Sequence, residues 1–273
     1  MRNASNDSGR LRPIEGRHNA LVKELRQAFA RAELTAKGFG AIEGTRIIEE
    51  AIRSGLRFHA VFFSHSAKLK AERLLPQFGS HVETVLLPDK LFAAAVPSDS
   101  PQGVAALVRW RETPAEGVLG KAHLGPILII AGIQDPGNLG TILRSAEAFG
   151  AAGILLGEGT VSPFNSKVVR ASAGSIFRVP IACIKLAEVM PQMQSQGIRL
   201  VATSSHKGTA LPEAKLSPPI AIFIGNEGAG VAKDLISKMD EILVVPHSAQ
   251  IESLNAAIAT SIVLYEAARQ KQS

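Results

Sequence analysis

The sequence is almost without cysteine. Cys183 is the sole one among 273 residues, so no internal disulfide can form. It lies in the apolar run RVPIACIKL and reads as a small buried hydrophobe. A chain without disulfides fits a reducing compartment, and the cytoplasm is the expected location. Long apolar runs are missing too. None reaches the ~18–20 residues that a bilayer-crossing helix needs, so no membrane association is expected. The opening MRNASNDSGRLRPIEGR has no apolar signal-peptide core. It reads as a disordered leader over residues 1–16.

The loops of common nucleotide enzymes are also absent. No GxxxxGK[ST] occurs, and Gly225, Gly228 and Gly230 give GxxGxG rather than GxGxxG. No acidic residue closes a following strand where a dinucleotide fold needs one. GxSxG is missing, which excludes the usual serine-hydrolase elbow. The seven histidines are scattered and none is at zinc spacing from another His or Cys, so no metal is expected.

What is present is an ordinary globular composition, 46% hydrophobic and 20% charged, with net charge +6. The charge is uneven: residues 1–31 hold seven Lys/Arg and three Asp/Glu. A basic arm suits a phosphate backbone, and equally suits a solvated helix face.

Apolar periodicity divides the chain. HNALVKELRQAFARAEL puts Leu21, Leu25 and Phe29 on one helical face and Lys23 and Arg26 off it. EGTRIIEEAIRSG repeats the pattern with Ile48 and Ile52, and Gly55 stops it. FHAVFFS, VETVLL and GVAALVRW read as strands, AKLKAERLLPQF and DKLFAAAV as helices. These form a small α/β domain over 17–110. RETPAEGVLGKAHLG is polar and aperiodic, and reads as a linker over 111–124. Beyond it PILIIAGI, GILLG, RLVATS, PIAIFIG and EILVVP read as buried parallel strands. Helices at 138–149, about 165–173, 186–197, 231–238 and 253–270 alternate with them. Residues 125–273 are therefore an α/β domain with a mostly parallel sheet.

Ligands bind outside the carboxyl ends of such strands. The segments there are QDPGNLGTILR, SSHKGT, GNEGAGV and PHSAQIESLNAA. Taken together, DPGNLGTILRSAEAFG, IFIGNEGAGV and VVPHSAQIESLNAAIATSIVLYEA resemble the three motifs of the SpoU–TrmH family, RNA ribose 2′-O-methyltransferases that use S-adenosylmethionine. SPFNSKVVRASAGSIFRVP also resembles that family. HNALVKELR and AIEGTRIIEEAI resemble its small substrate-binding domain, so nearly the whole chain is covered.

The resemblance implies a trefoil knot in the second domain, which general topology rules would not suggest. It implies a homodimer, and the last helix is apolar on more than one face. It implies that the product is S-adenosylhomocysteine. Asn138, Arg144, Glu227, Ser253 and Asn255 fall on the family's catalytic positions. Thr203, Gly225, Asn226, Val245, Pro246 and Leu254 fall around the methyl donor. Lys23, Arg26, Arg46, Lys167 and Arg170 are the expected RNA contacts. His247 stands where many relatives carry Met.

Each position has a plainer reading. Asn138 would cap its helix, Arg144 would be a surface residue or a partner of Glu147, and Ser253 and Asn255 would cap the last helix, Ser253 first. Six residues separate Asn138 from Arg144, less than two turns, so both are expected to reach the loop end of the sheet. The implied reaction is attack of a ribose 2′-hydroxyl on a sulfonium methyl, which needs no metal. Arg144 either takes the proton or, since a guanidinium normally stays charged, clamps a phosphate. Ribosomal RNA is the expected substrate. Transfer RNA, a non-catalytic RNA-binding module, and an ordinary nucleotide-binding enzyme are the alternatives.

Overall fold

The computed structural model describes residues 10–98, 101–111 and 113–272. The chain forms two compact units, and the division is discontinuous. Residues 1–111 and 162–177 form one, and residues 112–161 and 178–273 the other.

The first unit is built on a mixed five-stranded sheet in the order β1-β4-β3-β5-β2. Its elements run β1 (Arg12–Pro13), α1 (Ala20–Arg31), β2 (Phe39–Glu43), α2 (Thr45–Arg53), β3 (Arg57–Ser64), α3 (Lys68–Leu74), β4 (Glu83–Leu87), α4 (Asp89–Ala95) and β5 (Val104–Arg109). Val22, Leu25 and Ala28 are the buried face of α1, with Leu21 and Phe29 packed at its flanks. The buried stripe is thus centred one position away from the expected Leu21, Leu25, Phe29. Lys23 and Arg26 are exposed.

Two expectations need correction here. Residues 1–9 lie outside the described residues, but 10–16 are anchored rather than disordered. Arg12 and Pro13 pair in parallel with Val85 and Leu86, Ile14 is buried, and the Arg10 guanidinium donates to the carbonyls of Leu75, Phe78 and Gly79. An edge position tolerates Pro13, whose missing N–H faces no partner strand. The second correction is the linker. α5 (Ala115–Leu119) lies inside it, and Val118, Leu119 and Ala122 are buried in the second unit's core. Five helical residues are too few to show a 3.6-residue period.

The second unit continues with β6 (Ile127–Ile130), α6 (Pro136–Ala148) and β7 (Gly153–Leu156). The chain then contributes α7 (Ser166–Ala171) to the first unit. Trp110 explains this placement: it packs edge-on against Phe164 and Phe177, with ring centroids 5.0 and 5.6 Å away. Such pairs are worth ~0.5–1.5 kcal/mol each beyond their burial.

The second unit resumes with β8 (Ile181–Cys183), α8 (Leu186–Ser195), β9 (Arg199–Ser204), β10 (Thr209–Ala210), β11 (Ile220–Ile224), α9 (Lys233–Ile236), β12 (Glu241–Val244) and α10 (Ala256–Gln272). Its seven strands lie in the order β10-β12-β9-β11-β6-β7-β8, and every described pairing is parallel. The central strands are buried on both faces, which is why they read as unbroken apolar runs. Cys183 is exposed, contrary to the sequence reading. The pleat turns Ala182 inward and its neighbour outward. α10 packs on α6, where the Ser145 and Ser261 hydroxyls meet at 2.7 Å.

Candidate active site

From β6 the chain runs outward through β7 to β8. It then crosses to β9, and β11 is later inserted between β9 and β6. The strand order therefore switches direction at the β6–β11 pair, where open parallel sheets place their ligands. The loops leaving the carboxyl ends of these two strands carry the first and second motifs.

Asp135 is the N-cap of α6, and its carboxylate accepts the Asn138 amide at 2.7 Å. Pro136 takes the first helical position, where a missing N–H costs nothing. Asn138 is thus not the cap, and its side chain is free for another task. Its Nδ2 donates to Glu227 Oε1 at 3.1 Å. Glu227 also accepts the amides of Asp135 at 3.1 Å and Gln134 at 3.3 Å. Asn226 adds a second tie: its Nδ2 donates to the Gly132 carbonyl at 2.8 Å, and its Oδ1 accepts the amides of Gly228 and Ala229.

The third motif joins the same network. Asn255 Nδ2 donates to Asn138 Oδ1 at 2.9 Å. Asn255 Oδ1 accepts the amides of Ala257 and Ile258 at the start of α10. Asn255, rather than Ser253, is therefore the cap of that helix. One amide–amide–carboxylate chain, Asn255 to Asn138 to Glu227, links three loops that are far apart in sequence.

Partial burial pushes the Glu227 carboxyl upward, but the hydrogen bonds from Asn138 and from the backbone amides of Glu227, Asp135 and Gln134 together outweigh it. Its pKa is held below the ordinary value. Glu227 is thus a carboxylate at neutral pH, an acceptor and a weak base. That suits a fixed anchor better than a proton shuttle.

A cavity of about 550 Å³ adjoins this network. Thr203, Gly225, Asn226, Val245, Leu254 and Ser253 are among its lining residues, as are Ile224, Val231, Ile236 and Ile242. Pro246 lines a neighbouring hollow of about 400 Å³, and His247 lines both. The His247 Nδ1 lies 2.7 Å from the Val245 carbonyl. A carbonyl only accepts, so this contact makes Nδ1 the protonated nitrogen. Gly225 is required sterically: a Cβ there would lie 2.0 Å from the Gly230 carbonyl carbon.

Arg144 stands apart. Six residues at ~100° each place it about 120° round α6 from Asn138, so the two do not share a face. Arg144 is exposed, and its side chain has no hydrogen bond or ion pair among the described residues. Glu147 is not its partner; that carboxylate binds Arg178.

The five expected RNA contacts all belong to the first unit. Lys23, Arg26, Arg46 and Lys167 are exposed. Arg170 reaches the buried Glu43 carboxylate at 3.2 Å. Sequence reasoning missed Gly132 and Thr160, which brace the first loop: the Gly132 amide donates to Thr160 Oγ1, and that hydroxyl donates to the Ile130 carbonyl. No local motif marks a pair 28 residues apart.

Comparison with known proteins now decides the family. Residues 125–265 match the SpoU rRNA methylase family, and residues 19–106 match the MRM3-like substrate binding domain. The chain belongs to the SpoU rRNA methylase family. A 23S rRNA guanosine 2′-O-methyltransferase of Bacillus subtilis is 31% identical over 93% of this chain and 98% of its own. Among solved structures, the SpoU methyltransferase AviRb from Streptomyces viridochromogenes, in complex with AdoMet, superposes with a TM-score of 0.81 at 26% identity, covering 94% of this chain and 99% of that one. An AdoMet-bound rRNA methyltransferase from Sinorhizobium meliloti gives 0.80 at 27% identity, covering 97% and 100%. The family resemblance and the α/β, mostly parallel second sheet are both borne out.

Proposed function

We propose that this protein transfers a methyl group from S-adenosylmethionine to a ribose 2′-hydroxyl of ribosomal RNA. The carrying observation is the Asn255–Asn138–Glu227 chain at the β6–β11 switch point, beside a cavity lined from the ends of β9, β11 and β12. Bound donor supplies a methyl group activated by its sulfonium. The cavity suits such a molecule: Val231, Val245 and Leu254 offer apolar surface to an adenine, and loop backbone and polar groups offer hydrogen bonds.

Each residue has a role that its geometry supports. Glu227 holds the amides that open the first loop and orients Asn138. Asn138 and Asn255 are positioning residues, since they bind each other and the loops. Holding the reactants in line can supply ~7–11 kcal/mol of the barrier. Arg144 has a guanidinium free to meet the RNA. It acts on the 2′-hydroxyl either as proton acceptor or as a cation that clamps the neighbouring phosphate, and its ordinary chemistry favours the clamp. Lys23, Arg26 and Lys167 act as phosphate contacts, so binding weakens steeply with salt. The protein works in the cytoplasm, where ribosomes are made. No helix among the described residues is long and apolar enough to cross a membrane.

The protein acts as a homodimer. α10 exposes Ile258, Ile262 and Tyr265 at i, i+4, i+7, an apolar face that a second copy would cover. The trefoil knot of the family is part of the same reading.

The test is a map of ribose 2′-O-methyl sites in total RNA from wild-type and deletion cells. Loss of one site in ribosomal RNA is expected. Loss confined to transfer RNA would move the substrate, and no loss would count against the activity.

A further inference from the structure

The first unit holds a cavity of its own, of about 410 Å³, which the methyl-transfer reading does not use. Its lining includes Glu43, Arg46, Ile47, Gln102, Arg170 and Ala173. All belong to the first unit.

The lining carries a cation suited to an anion. Arg46 is exposed and has no ion pair among the described residues. It lies in the first turn of α2, which carries no acidic residue and whose N-cap, Gly44, supplies no side-chain cap. Free first-turn amides and the helix dipole both favour negative charge there.

The lining also carries an acceptor. Glu43 is only 4% exposed. Its Oε2 accepts from Arg170 at 3.2 Å and its Oε1 from the Gln102 amide at 3.3 Å. Each oxygen keeps a lone pair to spare. Ile47 and Ala173 supply apolar wall.

One local irregularity marks the same place. Ala173 has φ of 50°, a left-handed conformation that residues with a Cβ avoid. Observed strain of this kind clusters at ligand sites.

We propose that this cavity takes one unpaired guanine nucleotide of the RNA, with its phosphate at Arg46 and the start of α2 and its base edge on Glu43. Guanine is the base that presents two adjacent N–H groups on one edge, N1–H and the 2-amino group, which matches a carboxylate. Sequence-specific RNA recognition favours such unpaired, splayed bases. The proposal rests on the RNA-substrate reading and gives it a specificity element outside the methyl-transfer site.

The test titrates full-length protein with the trinucleotides UGU, UAU, UCU, UUU and the inosine analogue UIU, by calorimetry and by amide NMR. UGU is expected to bind about tenfold or more tighter than UUU, the range one good bidentate base contact supplies. UIU, which lacks the 2-amino group, should fall between them. The amides of Thr45, Arg46 and Ile47 should shift. Arg46→Ala should weaken UGU and UUU alike, and Glu43→Gln should erase the guanine preference. The inosine arm makes the same point without altering the buried carboxylate. Equal affinity for UGU and UUU, or unchanged affinity in Arg46→Ala, would overturn the proposal. So would 5′-GMP binding as tightly as UGU, because that marks a free-nucleotide site. S-adenosylmethionine binding and methyl transfer to ribosomal RNA, measured on the same preparation, separate the two readings. Transfer without trinucleotide binding defeats the cavity proposal alone; guanine binding without transfer defeats the catalytic reading alone.

Discussion

Asn138 Nδ2 and Glu227 Oε1 lie 3.1 Å apart across 89 residues of sequence, and this bond ties the loop after β6 to the loop after β11. Hydrogen bonds to charged groups contribute ~1.5–3 kcal/mol. Asn138→Ala should therefore lower kcat/KM by about 10–100-fold. Glu227→Gln should show a similar loss with the fold intact. Steady-state kinetics and a thermal melt on each variant check this.

Arg144 makes no contact that stability would miss. Arg144→Ala should leave the melting temperature and S-adenosylmethionine affinity nearly unchanged and reduce turnover by about 10²-fold or more, the range of a lost charge-stabilising or proton-transferring group. Calorimetry with the donor, paired with a turnover assay, separates the effects. Full activity would remove Arg144 from the mechanism.

Much of the fold was legible before the structure. Strands such as ILII and IAIFI are buried on both faces, so their unbroken apolar runs announce a parallel sheet. Short elements hid themselves. β2 ends in the charged but buried Glu43, and α5 has too few residues for a period. The strand at Arg12–Pro13 is two residues long and contains proline. The site was legible in residue types but not in roles. The caps themselves are local contacts, Asp135 with Asn138 and Asn255 with Ala257 and Ile258, but nothing local says what the side-chain amides of Asn138 and Asn255 reach. Those assignments depend on partners about 90 to 117 residues away.

Gly225 is held by its neighbours. An added methyl would strike the Gly230 and Val231 backbone at 2.0–2.1 Å. Gly225→Ala should open the second-motif loop at a cost of ~1–3 kcal/mol. Donor binding should be lost before global folding is, which calorimetry and a denaturant melt together report.

The exposed face of α10 predicts association. Ile262→Asp should convert a dimer to a monomer in light scattering while the circular dichroism spectrum stays that of the wild type. A wild-type protein that is monomeric at micromolar concentration would remove the dimer reading.

Acid should loosen the end of α10. Hydrogen bonds from Arg269 and then Gln270 hold the Glu266 carboxyl at about 2, and Gln270 in turn ties the helix to Ala214 and Leu216. The folded pKa lies below the unfolded value of ~4.3, so the contribution is full above that value and is lost as pH falls toward 2. Hydrogen-exchange protection factors at residues 266–272 should fall through that window, and Glu266→Gln should lower them at neutral pH as well.

The most direct test of the central claim is a transfer assay with purified protein, S-adenosylmethionine carrying a labelled methyl group, and ribosomal RNA from deletion cells. The account predicts label in one ribose 2′-O-methyl nucleotide, incorporated about 10²-fold or more slowly with Arg144→Ala. Label on a base, or no incorporation into ribosomal RNA, would contradict it.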